Sequence, residues 1–150
     1  MRNHPFFQAP PGEVYAISIT PEKWGFVRFF RGNAMAVLSI VGTAPEMPRV
    51  NWENPPIGWI FSSFAPRSDT TQVLRLGIVA FSHEDCEWAP PCFVPPDPVD
   101  NCYKIHHKST IRRASVEEVQ GMRPCRRITP AQLAEFLREK LKAGGLDLAY

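Results

Sequence analysis

The sequence predicts a mainly β protein of the α+β class: an antiparallel meander or a small, partly open barrel, with a short helix and a C-terminal amphipathic helix packed on the sheet. Composition indicates strands joined by stiff loops, because 16 of the 150 residues are proline and 11% are aromatic. Proline favours loops and strand edges, whereas aromatic side chains favour pleated, half-buried strands. The helices are predicted near the C-terminal end of the chain, because sequence patterns typical of helices begin only after residue 114.

The chain length fits one domain over residues 1–150, with enough apolar residues for one hydrophobic core. A proline-rich stretch at residues 1–12 predicts a loose arm. Residues 13–114 are the predicted β-rich core, and residues 115–143 are the predicted helical part.

Apolar runs bounded by glycine and proline predict the strands. The first three runs, at residues 14–19, 24–30 and 35–41, predict a three-stranded meander. Between the second and third runs, Gly32 and Asn33 suit the centre of a type II′ hairpin turn.

Two further strands are predicted at residues 57–64 and 73–81, joined through a turn at 66–71. The second is predicted to be central in its sheet, because it is apolar almost throughout. Residues 82–100 are predicted to form a long loop, which is a common place for a functional surface. A closing hairpin is predicted from two short strands, at residues 102–107 and 110–114.

Both predicted helices begin with a capping box, in which the cap and the third helical residue bond to each other's backbone. Ser115 and Glu118 form the first box, and Thr129 and Gln132 form the second, with proline at the first helical position. The second helix carries one apolar stripe at helical spacing, which predicts that it packs on the sheet. The stripe consists of Leu133, Phe136, Leu137 and Leu141.

The sequence also predicts where the chain resides. It has no run of about 18 apolar residues, which predicts no membrane span. Residues 1–5 are not followed by the apolar segment of a secretory signal. We therefore expect a cytoplasmic location, and we expect the four cysteines to be free thiols there. Cys102 and Cys125 are expected to lie in or near the core.

No motif with a defined catalytic mechanism occurs in the sequence. It lacks a glycine-rich phosphate loop, a Gly-x-Ser-x-Gly elbow and a His-Glu-x-x-His pair. We therefore assign no catalytic residues and no cofactor, and favour a binding protein over an enzyme. The best metal-ligand set is His83, Cys86 and Cys92, but it lacks a Cys-x-x-Cys pair, so we assign no metal site. A metal-dependent enzyme stays as an alternative, with further candidate ligands at Cys102, His106, His107 and Cys125.

The charge pattern predicts the binding surface. Between Leu76 and Tyr103 the chain has no lysine or arginine, but several carboxylates. An acidic loop stiffened by proline suits a basic partner, because charge steers the encounter and stiffness lowers the ordering cost. The predicted partner-binding residues are Glu84, Asp85, Glu87, Trp88 and Asp97. The alternative is an ordinary surface loop with its aromatic residues packed beneath it.

A basic segment at residues 104–127 provides an alternative function. Its arginines and lysines predict a small β-barrel module that binds nucleic acid. The formal net charge is only +2, and we favour a solvated surface instead, so nucleic acid is the less favoured partner. The basic side chains are Lys104, Lys108, Arg112, Arg113, Arg123, Arg126 and Arg127.

Two blocks of sequence resemble a known family. The first block reads Gly-Glu-Val-Tyr-Ala-Ile at 12–17 and Trp-Gly-Phe-Val-Arg at 24–28. The second includes Pro-Cys-Phe at 91–93, Tyr-Lys-Ile at 103–105 and Ile-Arg-Arg-Ala-Ser-Val-Glu-Glu at 111–118, then Gly121. Together they resemble the bacterial polymorphic-toxin immunity family numbered twenty-six. The resemblance implies a mostly β protein that binds a cognate toxin and neutralises it by occlusion, without catalytic residues.

Overall fold

The computed structural model describes residues 9–64 and 69–148. The predicted arm at 1–12 and the predicted turn at 66–71 therefore lie partly outside the described residues. The strands are β1 (Glu13–Thr20), β2 (Lys23–Phe29), β3 (Ala34–Leu38), β4 (Ile40–Val41), β5 (Ile57–Ser63), β6 (Val73–Ile78), β7 (Cys92–Val94), β8 (Tyr103–His107), β9 (Thr110–Ala114), β10 (Arg123–Pro124), β11 (Arg127–Ile128) and β12 (Asp147–Leu148). A 3₁₀ helix spans Glu84–Glu87, and the α-helices are α1 (Val116–Val119) and α2 (Pro130–Lys142).

The predicted fold class is confirmed. A six-stranded sheet has the order β11-β5-β3-β2-β1-β6, in which β1, β2, β3 and β5 form an antiparallel meander. A second sheet has the order β10-β7-β8-β9, and β12 pairs with β4. The sheets do not close into a barrel. No helix in the described ranges has the length and apolar character needed to cross a membrane.

The hairpin between β2 and β3 differs from the predicted turn type. Gly32 and Asn33 both have positive φ, +82° and +68°. A type II′ turn needs positive φ only at its first central residue, whereas both residues have it here, so the predicted turn type was wrong. Asparagine tolerates the left-handed conformation because its short amide bonds locally to the backbone. The Phe30 N–H donates to the Ala34 carbonyl at 2.8 Å and closes the turn.

The strand predicted to be central lies at an edge. β6 pairs with β1 alone among the described strands, and Ile78 on it is 54% exposed. An apolar run predicts a strand but not the number of its neighbours. Since β2 already occupies one side of β1, β6 takes the remaining side and its own outer edge is left open.

Two other segments are interrupted where the sequence suggested continuity. The strand predicted at 35–41 divides at Ser39. The Ser39 N–H donates to the Pro56 carbonyl, and the Ser39 carbonyl accepts from the Asp147 N–H. The loop predicted at 82–100 contains the 3₁₀ helix and β7. β7 pairs antiparallel with β8 and parallel with β10, so this segment is an integral part of the second sheet.

Helix α2 covers one face of the six-stranded sheet, as the apolar stripe predicts. Leu133 and Leu137 are fully buried there, among side chains of β1, β2 and β3 such as Ile17 and Val27. The capping boxes at Thr129 and Ser115 are both present. The opposite face buries a second cluster, which consists of Ala16, Trp24, Phe26, Leu38 and Ile40.

Candidate functional site

The predicted acidic surface is built around a short turn that is tied to the first sheet. Residues 84–88, here called the acidic turn, comprise the 3₁₀ helix and Trp88. The Arg31 backbone N–H donates to the Glu87 carbonyl at 2.7 Å, and its guanidinium donates to both Glu87 carboxylate oxygens at 3.0 and 3.1 Å. The same guanidinium lies 5.8 Å from the centre of the Trp88 ring. Glu87 and Trp88 therefore anchor the turn.

The other two predicted residues of the turn point to solvent. Glu84 is exposed and has no ion-pair partner among the described residues. The Asp85 side chain is 91% exposed, although one oxygen lies 3.3 Å from the Lys108 ammonium. The acidic turn thus presents two accessible carboxylates on an anchored backbone.

Asp97, the fifth predicted residue, organises a separate turn. Its carboxylate accepts the backbone N–H groups of Val99 and Asp100 at 2.8 and 2.6 Å. Asp100 in turn pairs with Lys104 at 3.0 Å, and the Lys104 hydrogen bond holds the pKa of that carboxyl below its usual value. The Cys102 thiol donates to the same carboxylate, which raises the pKa of the thiol.

The basic segment divides into two groups. Lys104, Lys108 and Arg112 are neutralised by Asp100, Asp85 and Glu118. In contrast, no carboxylate within the described ranges pairs with the three arginines nearest to β10 and β11, which are Arg123, Arg126 and Arg127. The positive charge of the segment is therefore concentrated at its end.

The structure contradicts the prediction that all four cysteines are free. Cys92 on β7 is bonded to Cys125, next to β10, across 33 residues of sequence. Parallel pairing of β7 with β10 brings the two cysteines together, which spacing alone does not reveal. Cys86 and Cys102 are free. The disulfide removes Cys92 from the candidate metal set with His83, and the described residues contain no cluster of three or more metal-ligating side chains.

The disulfide lines a cleft of about 410 Å³ between the two sheets, which also contacts Trp88, His106 and Arg127. Arg123 enters this cleft and donates to the Pro90 carbonyl at 2.9 Å. Its Nε is buried without a hydrogen-bond partner, and burial lowers the pKa of the guanidinium. The cleft is therefore a positive region beside the acidic turn.

A buried arginine lies beside a second pocket of the six-stranded sheet. Arg28 on β2 is 4% exposed and donates to the carbonyls of Val79 and Ala80 at 2.7 and 3.0 Å. Its guanidinium lies 3.8 Å from the Phe81 ring centre and 5.2 Å from that of Trp52, in a pocket of about 260 Å³. Desolvation lowers the pKa of Arg28. Its N–H groups donate to backbone carbonyls, so Arg28 has a structural role: it holds the segment after β6 against β2.

Comparison of the chain with family models, curated proteins and solved structures finds no match in any of the three. The functional interpretation therefore rests on the geometry described above and on the resemblance of the two sequence blocks.

Sequence reasoning missed the anchoring role of Arg31 and the cations that lie over aromatic rings beside β5. Arg31 directly precedes the Gly32 turn, a place where an exposed side chain is ordinary, so its pairing with Glu87 carries no local signal. Arg126 belongs to the basic segment and Lys140 lies on α2, and neither position carries a local signal for the ring that it contacts.

Proposed function

We propose that this chain is an immunity-type protein, which binds a cognate bacterial toxin and neutralises it by occlusion, without catalysis. The class of partner comes from the resemblance of the two sequence blocks to the polymorphic-toxin immunity family. The observation that carries the proposal is the acidic turn: Glu84 and Asp85 are exposed on a backbone that Arg31 already fixes. The partner surface is basic.

Preorganisation supports this role. A surface loop that orders only on binding loses conformational entropy at that moment, which weakens the complex. Here the Arg31 N–H bond and the Glu87 ion pair hold the turn before the partner arrives. Exposed carboxylates then raise the association rate with a basic surface, more than they raise the final affinity.

The test is protection from toxicity. The chain is coexpressed with the product of the gene adjacent to its own, and growth is measured against the toxin alone. We expect growth to be restored. If the chain gives no protection and the two proteins do not associate, the proposed function is wrong.

A charge-reversal pair then tests the surface. Glu84→Lys with Asp85→Lys should slow association by about tenfold or more and weaken its salt dependence. The matched control is Glu22→Lys with Glu117→Lys, two exposed carboxylates outside the acidic turn, which should leave the rate close to that of the parent. Equal rates for both double variants would exclude the acidic turn as the contact surface.

Nucleic-acid binding is the second candidate. It is favoured by Arg123 and Arg127, which line the cleft between the sheets and have no carboxylate partner within the described ranges. Binding through phosphates would weaken steeply as salt rises. Retention of a single-stranded oligonucleotide at 50 mM but not at 300 mM salt would support this candidate, and no retention at 50 mM would exclude it.

The cytoplasmic location stays a prediction. Free thiols were expected as a consequence of that location, and the Cys92–Cys125 disulfide departs from that expectation. Disulfides persist in oxidising compartments and are rare in the cytosol. Alkylation of free thiols in intact cells, followed by mass analysis, tests the location: four alkylated cysteines fit the cytosol, and two fit an oxidising compartment.

A further inference from the structure

The strand β5 has an open edge over most of its length. Its neighbour β11 pairs with it only at Ser62 and Ser63. The Ser62 N–H points outward, away from β3, and donates to the Arg126 carbonyl at 2.8 Å. Because alternate residues of a strand direct their backbone groups to the same side, the N–H and C=O of Ile60 also point outward. No strand in the described part of the chain pairs with this edge before Ser62.

A groove of about 590 Å³ runs beside this open edge, here called the β5 groove. Its floor is residues 57–61 of β5, and its walls are residues of α2 and of the segment that leads into β11. The wall residues are Arg123, Pro124, Arg126, Phe136 and Lys140. Five extended residues span about 16 Å, so the open edge has room for a short added strand.

Two cations in the β5 groove, Arg126 and Lys140, have no carboxylate partner within the described ranges. The Lys140 ammonium lies 5.6 Å from the centre of the Trp59 ring and 5.2 Å from that of Phe136. The Arg126 guanidinium lies 5.2 Å from the Phe61 ring centre and 5.7 Å from that of Phe136. The rings hold both cations in place, and the groove is therefore complementary to acidic groups.

The same contacts disfavour nucleic acid as the occupant of this groove. Single-stranded nucleic acid binds by stacking its bases on exposed aromatic faces. In the β5 groove, Lys140 and Arg126 already lie over the rings of Trp59, Phe61 and Phe136. The three rings also contact one another edge to face: the ring centres of Trp59 and Phe136 are 5.0 Å apart, and those of Phe61 and Phe136 are 5.4 Å apart.

We propose that the β5 groove docks an extended acidic segment of another protein, which adds a short strand to the open edge of β5. The backbone of the segment bonds to Ile60, and its carboxylates meet Arg126 and Lys140. Addition of a strand to a sheet edge is an established mode of peptide recognition. This site is on a different surface from the acidic turn and does not depend on the proposed toxin partner.

The test uses a capped six-residue peptide of alternating valine and glutamate as the probe, titrated into the full chain labelled with ¹⁵N. In the NMR spectrum we expect the Ile60 amide and the Trp59 indole N–H to shift as the peptide saturates the site. Lys140→Glu should weaken binding about tenfold, because it replaces an attraction by a repulsion. The control Lys142→Glu makes the same charge change on the same helix, outside the groove, and should bind within about twofold of the parent.

Two modified peptides test the backbone contact without altering the protein. One is methylated on the valine nitrogens and the other on the glutamate nitrogens, so only one of them loses the N–H groups that face β5. We expect one peptide to lose binding and the other to retain it. The proposal is overturned if the parent peptide causes no shifts at millimolar concentration, or if both methylated peptides bind like the parent. It is also overturned if a thymidine hexanucleotide shifts the same amides with equal or greater affinity.

Discussion

Arg28 shows how one buried charged side chain determines local structure in this protein. It is 4% exposed, and its guanidinium donates to the carbonyls of Val79 and Ala80. The same guanidinium packs against the rings of Phe81 and Trp52. A charge is buried only where hydrogen bonds compensate for its lost hydration. The segment that follows β6 is therefore held against β2 by this side chain.

Replacing Arg28 by methionine should destabilise the fold. Arg28→Met keeps much of the apolar stem but removes the hydrogen bonds of a buried guanidinium to the carbonyls of Val79 and Ala80, so we expect the free energy of unfolding to fall by about 3 kcal/mol. Urea denaturation measures the change. The control Arg112→Met removes an exposed ion pair and should cost less than about 1 kcal/mol. Equal losses in the two variants would contradict the role given to Arg28.

Tyr15 links the stability of the fold to alkaline pH. Its hydroxyl donates to the Glu13 carboxylate, which also pairs with Arg75 at 3.1 Å. Desolvation and the bond to Glu13 raise the pKa of Tyr15 above its usual value. A raised pKa in the folded state means that the stabilisation is fully present below about pH 10, the unfolded value, and is lost as pH rises further.

Tyr15→Phe should therefore change the pH dependence of stability. The difference in unfolding free energy between the parent and this variant should shrink by about 1.4 kcal/mol between pH 9 and pH 11. Urea midpoints at each pH measure it, and comparison of the two proteins cancels the other titrating groups. A difference that does not vary with pH would show that Tyr15 ionises as freely in the folded chain as in the unfolded one.

At the scale of elements, the acidic turn is a unit made from distant parts of the sequence. Arg31 lies in the hairpin after β2, and its partner Glu87 lies 56 residues later. The short 3₁₀ helix has no buried residues of its own. Its position therefore depends on the contacts that Arg31 makes with Glu87 and Trp88.

Arg31→Ala should loosen the acidic turn without unfolding the sheet. The backbone N–H at position 31 still reaches the Glu87 carbonyl, but loss of the ion pair should speed its hydrogen exchange about fivefold, as expected for a contact worth about 1 kcal/mol. Amide exchange followed by NMR measures it. Lys108→Ala removes the more exposed pair with Asp85 and should leave that exchange rate unchanged. If the two variants behave alike, Arg31 is not the anchor.

The elements that the sequence predicts well are those whose signals are local. Both capping boxes lie within four residues, and the apolar stripe of α2 lies within nine, so both helices are found where expected. The number of neighbours of β6 depends instead on the rest of the sheet. The Arg31–Glu87 anchor and the pairing of Cys92 with Cys125 likewise depend on contacts across 56 and 33 residues. The five predicted site residues therefore have different roles: Glu87 and Trp88 anchor the acidic turn, Glu84 and Asp85 are exposed on it, and Asp97 organises a separate turn.

At the scale of the whole molecule, the disulfide joins the second sheet across its parallel strands. It connects Cys92, in β7, to Cys125, and so closes the chain around β8, β9 and α1. A cross-link stabilises a fold largely by restricting the unfolded chain, and more so for longer loops.

Removing the disulfide should lower the stability of the fold substantially. For a loop of this length, replacing Cys92 and Cys125 by alanine should reduce the free energy of unfolding by about 4 kcal/mol. The measurement is urea denaturation without reductant. The control replaces Cys86, an exposed free thiol, by alanine and should change stability by less than about 0.5 kcal/mol. A cysteine pair that costs no more than the control would contradict a structural disulfide.

For the whole molecule, the proposed function predicts that the partner is bound through the acidic turn. Hydrogen exchange of the one-to-one complex with its cognate toxin, compared with the free chain, tests this claim most directly. We expect slower exchange at residues 84–88 in the complex, with the β6 edge unchanged. A stable complex in which residues 84–88 exchange as fast as in the free chain would contradict the claim and place the contact on another surface.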